Sequence, residues 1–166
     1  MNAERVAEVA GAHLADILVA RGEVVAVVEA DALLDTLAWL RDEPSLQLSF
    51  LSSLTATDWP EATPRFWLAY DLRSIELHHR LRLKVGVDGD EPHAPTVTGL
   101  FPTADWHERE VFDFFGIVFD GHPNLTRMMM PDDWDGHPLR KTEELGGVPT
   151  QFHGALVPPV DERGMP

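Results

Sequence analysis

Two runs of alternating residues constrain this chain more than any other feature. Phe66, Leu68, Tyr70 and Leu72 recur at every second position, and Leu81, Leu83, Val85 and Val87 do the same, interleaved with Arg80, Arg82 and Lys84. A period of two puts every apolar side chain of a run on one face, so both runs demand a sheet with one buried face. The other face of the second run is basic. It reads either as a surface strand protected by positive side chains or as a docking stripe for an acidic partner.

The remaining periodicities surround that sheet with helices. Val6, Val9, Ala10, Leu14, Ile17 and Leu18 recur at helical spacing and predict an amphipathic helix over residues 3–20, with His13 as a packed side chain beside its stripe. The valine-rich segment 23–28 after Gly22 reads as a strand, and Asp31 is placed to cap a second helix through Leu33, Leu34, Leu37 and Leu40, closed by Pro44. Leu46, Leu48 and Phe50 alternate as a further strand, followed by a Ser/Thr-rich stretch and the Trp59-Pro60 turn. The acidic loop 88–95 leads out of the last strand. The order helix, strand, helix, three strands, helix describes an α+β domain: a single mixed β-sheet with helices packed on one face.

Length and composition fit one such domain. With 166 residues and 44% hydrophobic content the chain supports a single core. Its 13 basic and 28 acidic residues give −15, which argues against nucleic acid or anionic lipid as the main partner. The charge is uneven: residues 1–64 hold 3 basic and 11 acidic residues, residues 65–88 hold 5 and 3, and residues 89–166 hold 5 and 14. No cysteine is present, which excludes thiolate chemistry and cluster ligation by these residues. No run approaches the roughly 18 apolar residues of a membrane helix, and a secreted or membrane-spanning chain is not expected. Residues 1–120 read as the α+β domain and 121–166, with seven prolines, as an extended tail without a core of its own. Its Met128, Met129, Met130, Trp134, Phe152 and Leu156 suit packing along a surface.

The densest chemistry runs from residue 105 to residue 141. Asp105 with Glu108 three places later reads as a capping box, and Gly116 as the C-terminal stop of a helix. Trp106, Val111, Phe112, Phe114 and Phe115 share nearly every helical face with Glu108, Arg109, Glu110 and Asp113. Arg109 and Asp113 stand at i and i+4. Either an internal salt-bridge network or a partner-facing charged surface accounts for that mixture. His107-Glu108 begins like a zinc-protease helix, but Val111 occupies the second histidine's place. His122 and His137 each sit in a Gly-His-Pro triplet, which reads as two fixed turns; with Asp132, Asp133 and Asp135 they would otherwise be metal ligands of a hydrolase. No nucleophile elbow, phosphate loop or dinucleotide fingerprint occurs.

The segment HEREVFDFFGIVFDGHPNLTRMMMPDDWDGHPLRK resembles the signature region of the 30 kDa subunit family, the C subunits of respiratory NADH:quinone oxidoreductase (complex I), and the C-terminal GGVPTQFHGALVPPVDER, with eleven Arg against two Lys in the chain, resembles the actinobacterial form. The matching residues are 108–110, 113–117, 121–123, 130–131, 133 and 136–141. The chain departs from the family at Thr142-Glu143-Glu144, where Asp-Tyr-Pro is usual, and at Thr126, where a basic residue often stands and Arg127 follows. The resemblance implies a cofactor-free structural subunit of the peripheral arm, on the cytoplasmic face of the cell membrane. Its neighbours would be the quinone-site (D) and terminal-cluster (B) subunits of complex I, with the ferredoxin-like (I) subunit as a further neighbour. FMN, iron–sulfur clusters and quinone would belong to other subunits. It also implies that Glu108, Arg109, Glu110, Asp113, His122, Arg127, His137, Arg140 and Lys141 are interface or structural residues, and that the tail packs on partner subunits. An equivalent subunit of a membrane-bound hydrogenase or other donor dehydrogenase is the nearest alternative, and the metal-dependent hydrolase is the alternative of another class.

Overall fold

The computed structural model describes residues 3–131 and 133–143. One five-stranded mixed sheet runs in the order β1-β2-β5-β4-β3, formed by β1 (Asp16–Ala20), β2 (Glu23–Val28), β3 (Phe50–Asp58), β4 (Phe66–Ser74) and β5 (His79–Val87). Only β2 and β5 run parallel. The two alternating runs form its centre as an antiparallel pair, with Leu68 opposite Val85, Tyr70 opposite Leu83 and Leu72 opposite Leu81. All of these are buried, whereas Trp67, Asp71, Arg82 and Lys84 on the alternate positions keep access to water.

Three helices pack on the buried face: α1 (Ala3–Ala10), α2 (Leu33–Asp42) and α3 (Ala104–Phe115). The core joins Val6 and Ala10 of α1, Leu33, Leu37 and Leu40 of α2, and Val111 and Phe115 of α3 to the inward residues of the sheet. A parallel pair of short strands, β6 (His93–Pro95) and β7 (Val118–Asp120), ties the loop before α3 to the chain after it.

Four local expectations are corrected. The first helix stops at Ala10, and residues 16–20 form β1, because Ile17 and Val19 fit the register against Ala26 and Val24 and a strand pairing satisfies their backbone groups. His13 is exposed and stacks on Trp39 with ring centroids 4.5 Å apart. Asp31 lies in a 3₁₀ turn over residues 30–32 and gives α2 no side-chain cap. The strand expected at residues 46–50 begins only at Phe50: Leu46 and Leu48 are buried in the preceding loop, and the Ser/Thr-rich stretch itself forms β3. Thr55 and Thr57 are exposed while Leu54 and Ala56 are buried, so hydroxyls supply the water face. Residues 121–143 contain no helix or strand among those described, and Phe152 and Leu156 lie outside the described residues.

Candidate functional site: the polar spine of the third helix

The motif residues converge on α3 and the chain that follows it. The helix is inverted in character. Its Glu108 and Asp113 are fully buried, whereas Trp106 is 61% exposed. The capping box is not formed, since the N-cap position is Thr103 and Asp105 already lies in the first turn. Glu108 instead reaches across to the loop before the helix. Its carboxyl group accepts the Val97 amide at 2.7 Å and the Thr96 hydroxyl at 2.5 Å. Burial pushes its pKa up to about 7 against the lowering effect of those two hydrogen bonds, with Asp105 adding like-charge repulsion.

His122 closes the same end. The Asn124 amide donates to its Nδ1 at 3.0 Å, which leaves the ring hydrogen on Nε2, 3.2 Å from the Asp105 carbonyl and 3.3 Å from that residue's Oδ1. Glu108 Oε2 stands 3.9 Å from the same nitrogen.

Asp113 forms a cradle at the other end. One carboxylate oxygen accepts the consecutive amides of Met128, Met129 and Met130 at 3.0, 2.7 and 2.9 Å, and the other accepts Arg127 Nη1 at 3.0 Å. Burial alone would raise its pKa; the three amides and the guanidinium outweigh that and hold it below the ordinary carboxylate range. The partner expected from helical spacing was Arg109, but Arg127 takes that role and also donates to the Gly136 carbonyl at 2.9 Å. Arg109 donates to the carbonyls of Thr126 and Arg127 and lies over the Trp106 ring at 5.1 Å.

A helix leaves its last four carbonyls without intrahelical donors. In α3 the downstream chain supplies them in succession: His137 Nδ1 lies 3.0 Å from the Asp113 carbonyl, the Leu139 amide donates to Phe114, and Arg140 Nε donates to Phe115 at 2.6 Å. Arg140 also covers the Phe66 ring at 5.5 Å. The Lys141 amide then donates to Asp58, whose buried carboxylate is gripped by Arg65 at 2.7 and 2.9 Å. That bidentate guanidinium, joined by the Lys141 amide, holds Asp58 below its usual pKa despite burial. Residues 126–141 are thus stitched to both α3 and the sheet edge. Glu110 is half-buried and has no hydrogen-bond partner among the described residues, and the Lys141 side chain is exposed.

Gly116 makes this closure geometrically possible. Its φ is +70°, and a Cβ there would meet His137 Cδ2 at 2.5 Å and Arg140 Nη2 at 2.6 Å. Gly116→Ala is expected to cost about 2 kcal/mol, combining left-handed strain with displacement of both capping side chains, and to lower the melting temperature by roughly 4–8 °C in a thermal denaturation series.

Among the described residues the two histidines of the hydrolase constellation are held apart, and Asp132 lies outside those residues. His122 sits against Asp105 and His137 against the Asp113 carbonyl, eight helical residues or about 12 Å along α3. No group of three or more His, Cys, Asp or Glu side chains that could hold a metal ion occurs among the described residues. What spacing could not show is the role of Thr96, Val97 and Asp58, which come to the motif only through the fold. No helix among the described residues is long and apolar enough to cross a membrane.

Comparison with known proteins places this architecture. The family model described as respiratory-chain NADH dehydrogenase, 30 Kd subunit, matches residues 26–149. The NADH-quinone oxidoreductase C subunit of Mycolicibacterium gilvum is 47% identical over 148 residues, covering 89% of this chain and 66% of that protein. The corresponding protein of Saccharopolyspora erythraea is 48% identical with 89% and 59% covered, and that of Salinispora arenicola 44% identical with 92% and 63% covered. The chain therefore spans about three-fifths to two-thirds of the length of these relatives. Among solved structures, a trypsin-resistant fragment of Nqo5 (1–134) superposes with a TM-score of 0.64 at 32% identity, covering 74% of this chain and 98% of that one. The structure of the membrane-bound sulfane sulfur reductase, an archaeal respiratory membrane complex, gives a TM-score of 0.74 at 28% identity over 86% of this chain and 85% of that one. With its sheet order, its polar α3 spine and these likenesses taken together, the chain belongs to the 30 kDa subunit family of respiratory-chain NADH dehydrogenase.

Proposed function

We propose that this chain is a cofactor-free structural subunit in the peripheral arm of a proton-translocating NADH:quinone oxidoreductase, holding the quinone-site and terminal-cluster subunits at the cytoplasmic face of the membrane. FMN, iron–sulfur clusters and quinone belong to those and other subunits, and the ferredoxin-like subunit is a further neighbour. The observation that carries this reading is the inversion of the motif. Its Glu108, Asp113 and Arg127 side chains turn inward to fasten the chain to itself, while Trp106, Met128, Met129 and Leu139 stay 36–61% exposed. Large apolar side chains left outside a well-satisfied polar core are what a permanent partner surface requires.

The test is a tagged pull-down from detergent-solubilised membranes. The quinone-site and terminal-cluster subunits, together with the NADH-oxidising flavoprotein, are expected to co-purify with quinone reductase activity. Recovery of the chain alone from membranes that contain the assembled enzyme overturns the reading. The likeness to the sulfane sulfur reductase favours one second reading, a subunit of a respiratory complex with another electron donor. In that case the equivalents of the quinone-site and terminal-cluster subunits co-purify without an NADH-oxidising module.

A further inference from the structure

The β4–β5 hairpin carries an electrostatic arrangement that the fold itself leaves uncompensated. Arg73 and Arg80 are direct cross-strand partners, and like charges at that register repel. The next pair along the same face, Asp71 with Arg82, is complementary and closes at 2.7 and 3.0 Å. Arg80 reaches Glu23 at 2.6 Å, but Arg73 has no carboxylate within ion-pair distance among the described residues. Residues 73–84 hold four basic residues against the single acid Glu76, in a chain whose net charge is −15. The excess is therefore local.

These two arginines border a cavity of about 480 Å³ at the hairpin end, lined also by Ser74, Ile75, His78 and His79. No carboxylate lines it among the described residues. His79 is only 8% exposed and lies at the inner wall, with the Leu46 and Leu77 backbone groups as its polar neighbours. Ile75, 57% exposed, gives the rim an apolar contact.

We infer that this hairpin end is a docking site for an acidic segment of a partner subunit, with Arg73 and Arg80 gripping a carboxylate. The inference rests on the proposed role as an assembly subunit. Planar guanidinium forks match carboxylate geometry, and an arriving anion turns the Arg73–Arg80 repulsion into attraction on both sides. A membrane surface of anionic lipid is disfavoured, because it would have to approach the whole −15 chain, whereas one acidic segment meets only the local cations.

The experiment uses the assembled complex. Arg73→Glu places opposite charges across the strand pair, so the melting temperature of the full chain is expected to stay level or rise while recovery of the other subunits at physiological salt falls roughly tenfold. The double variant with Arg80→Glu is expected to lose at least as much. A photo-crosslinker at Ile75 in the otherwise unaltered complex is expected to capture a peptide containing Asp or Glu from another subunit. Unchanged recovery for both variants, an adduct to phospholipid, or a captured peptide without an acidic residue overturns the inference. Failure of the unaltered chain to bring down any partner subunit instead overturns the assembly reading beneath it.

Discussion

Replacing Asp113 with alanine is expected to lower the free energy of unfolding by about 3–5 kcal/mol, the largest effect of any motif residue. The carboxylate is fully buried and is the common acceptor for three successive amides and Arg127. Removing it leaves a guanidinium and three N–H groups without their acceptor in a site shaped around them. Asp113→Asn retains one oxygen but turns an NH₂ toward a ring of donors, so it recovers less than half of the loss. Hydrogen exchange gives the local readout: amides of Met128, Met129 and Met130 lose protection more than those of the β4–β5 pair, because 126–141 is released before the sheet opens. A loss under about 1 kcal/mol in urea denaturation would refute the cradle's importance. The pH dependence has a definite sign. Asp113 has its folded pKa below the ordinary 3.8, so its contribution is complete above that value and disappears as pH falls through the folded one.

Glu108 is expected to act in the opposite sense. Its folded pKa of about 7 lies above the ordinary 4.5, so the folded state binds a proton that the unfolded chain has already released. Stability from this group is complete below about pH 4.5 and falls as pH rises through 7, by about 3 kcal/mol for a shift of that size. Glu108→Gln removes the titration while an amide oxygen still accepts from Val97 and the amide nitrogen faces Thr96. The stability of the variant relative to the parent chain should therefore climb by about 3 kcal/mol between about pH 4.5 and 7.5 in urea denaturation. A flat difference across that window would show that the carboxyl group is hydrated in the folded state. Because other acids are held below their ordinary values, Asp58 among them, the comparison must be made between the two proteins and not on the parent alone.

Much of this organisation is legible in the order of residues alone. The alternation of residues 66–72 and 81–87 determines the central strand pair and which face is buried, because period two admits no other arrangement around one core. Gly116 as the stop of α3 follows from the need for a left-handed residue there. The 108–141 motif points to the family. The conflict at residues 16–20 is not resolvable locally: Ile17 and Leu18 satisfy a helical stripe as well as a strand, and the pairing with β2 decides between them. The same holds for β3, where serines and threonines hide a strand from any reading of apolar period.

The sequence by itself thus determined the layer architecture, the absence of thiolate chemistry and the concentration of charged and aromatic residues on one helix, since periodicity and composition are local properties. Only the tertiary structure decided where those charges go. Helical spacing offered Arg109 to Asp113, but a buried carboxylate needs every oxygen satisfied, and the chain 14–17 residues downstream returns to do so. Glu108 likewise finds Thr96 and Val97, not a capping box. Long-range satisfaction of buried polar groups is a property of the folded whole, which no window of sequence contains.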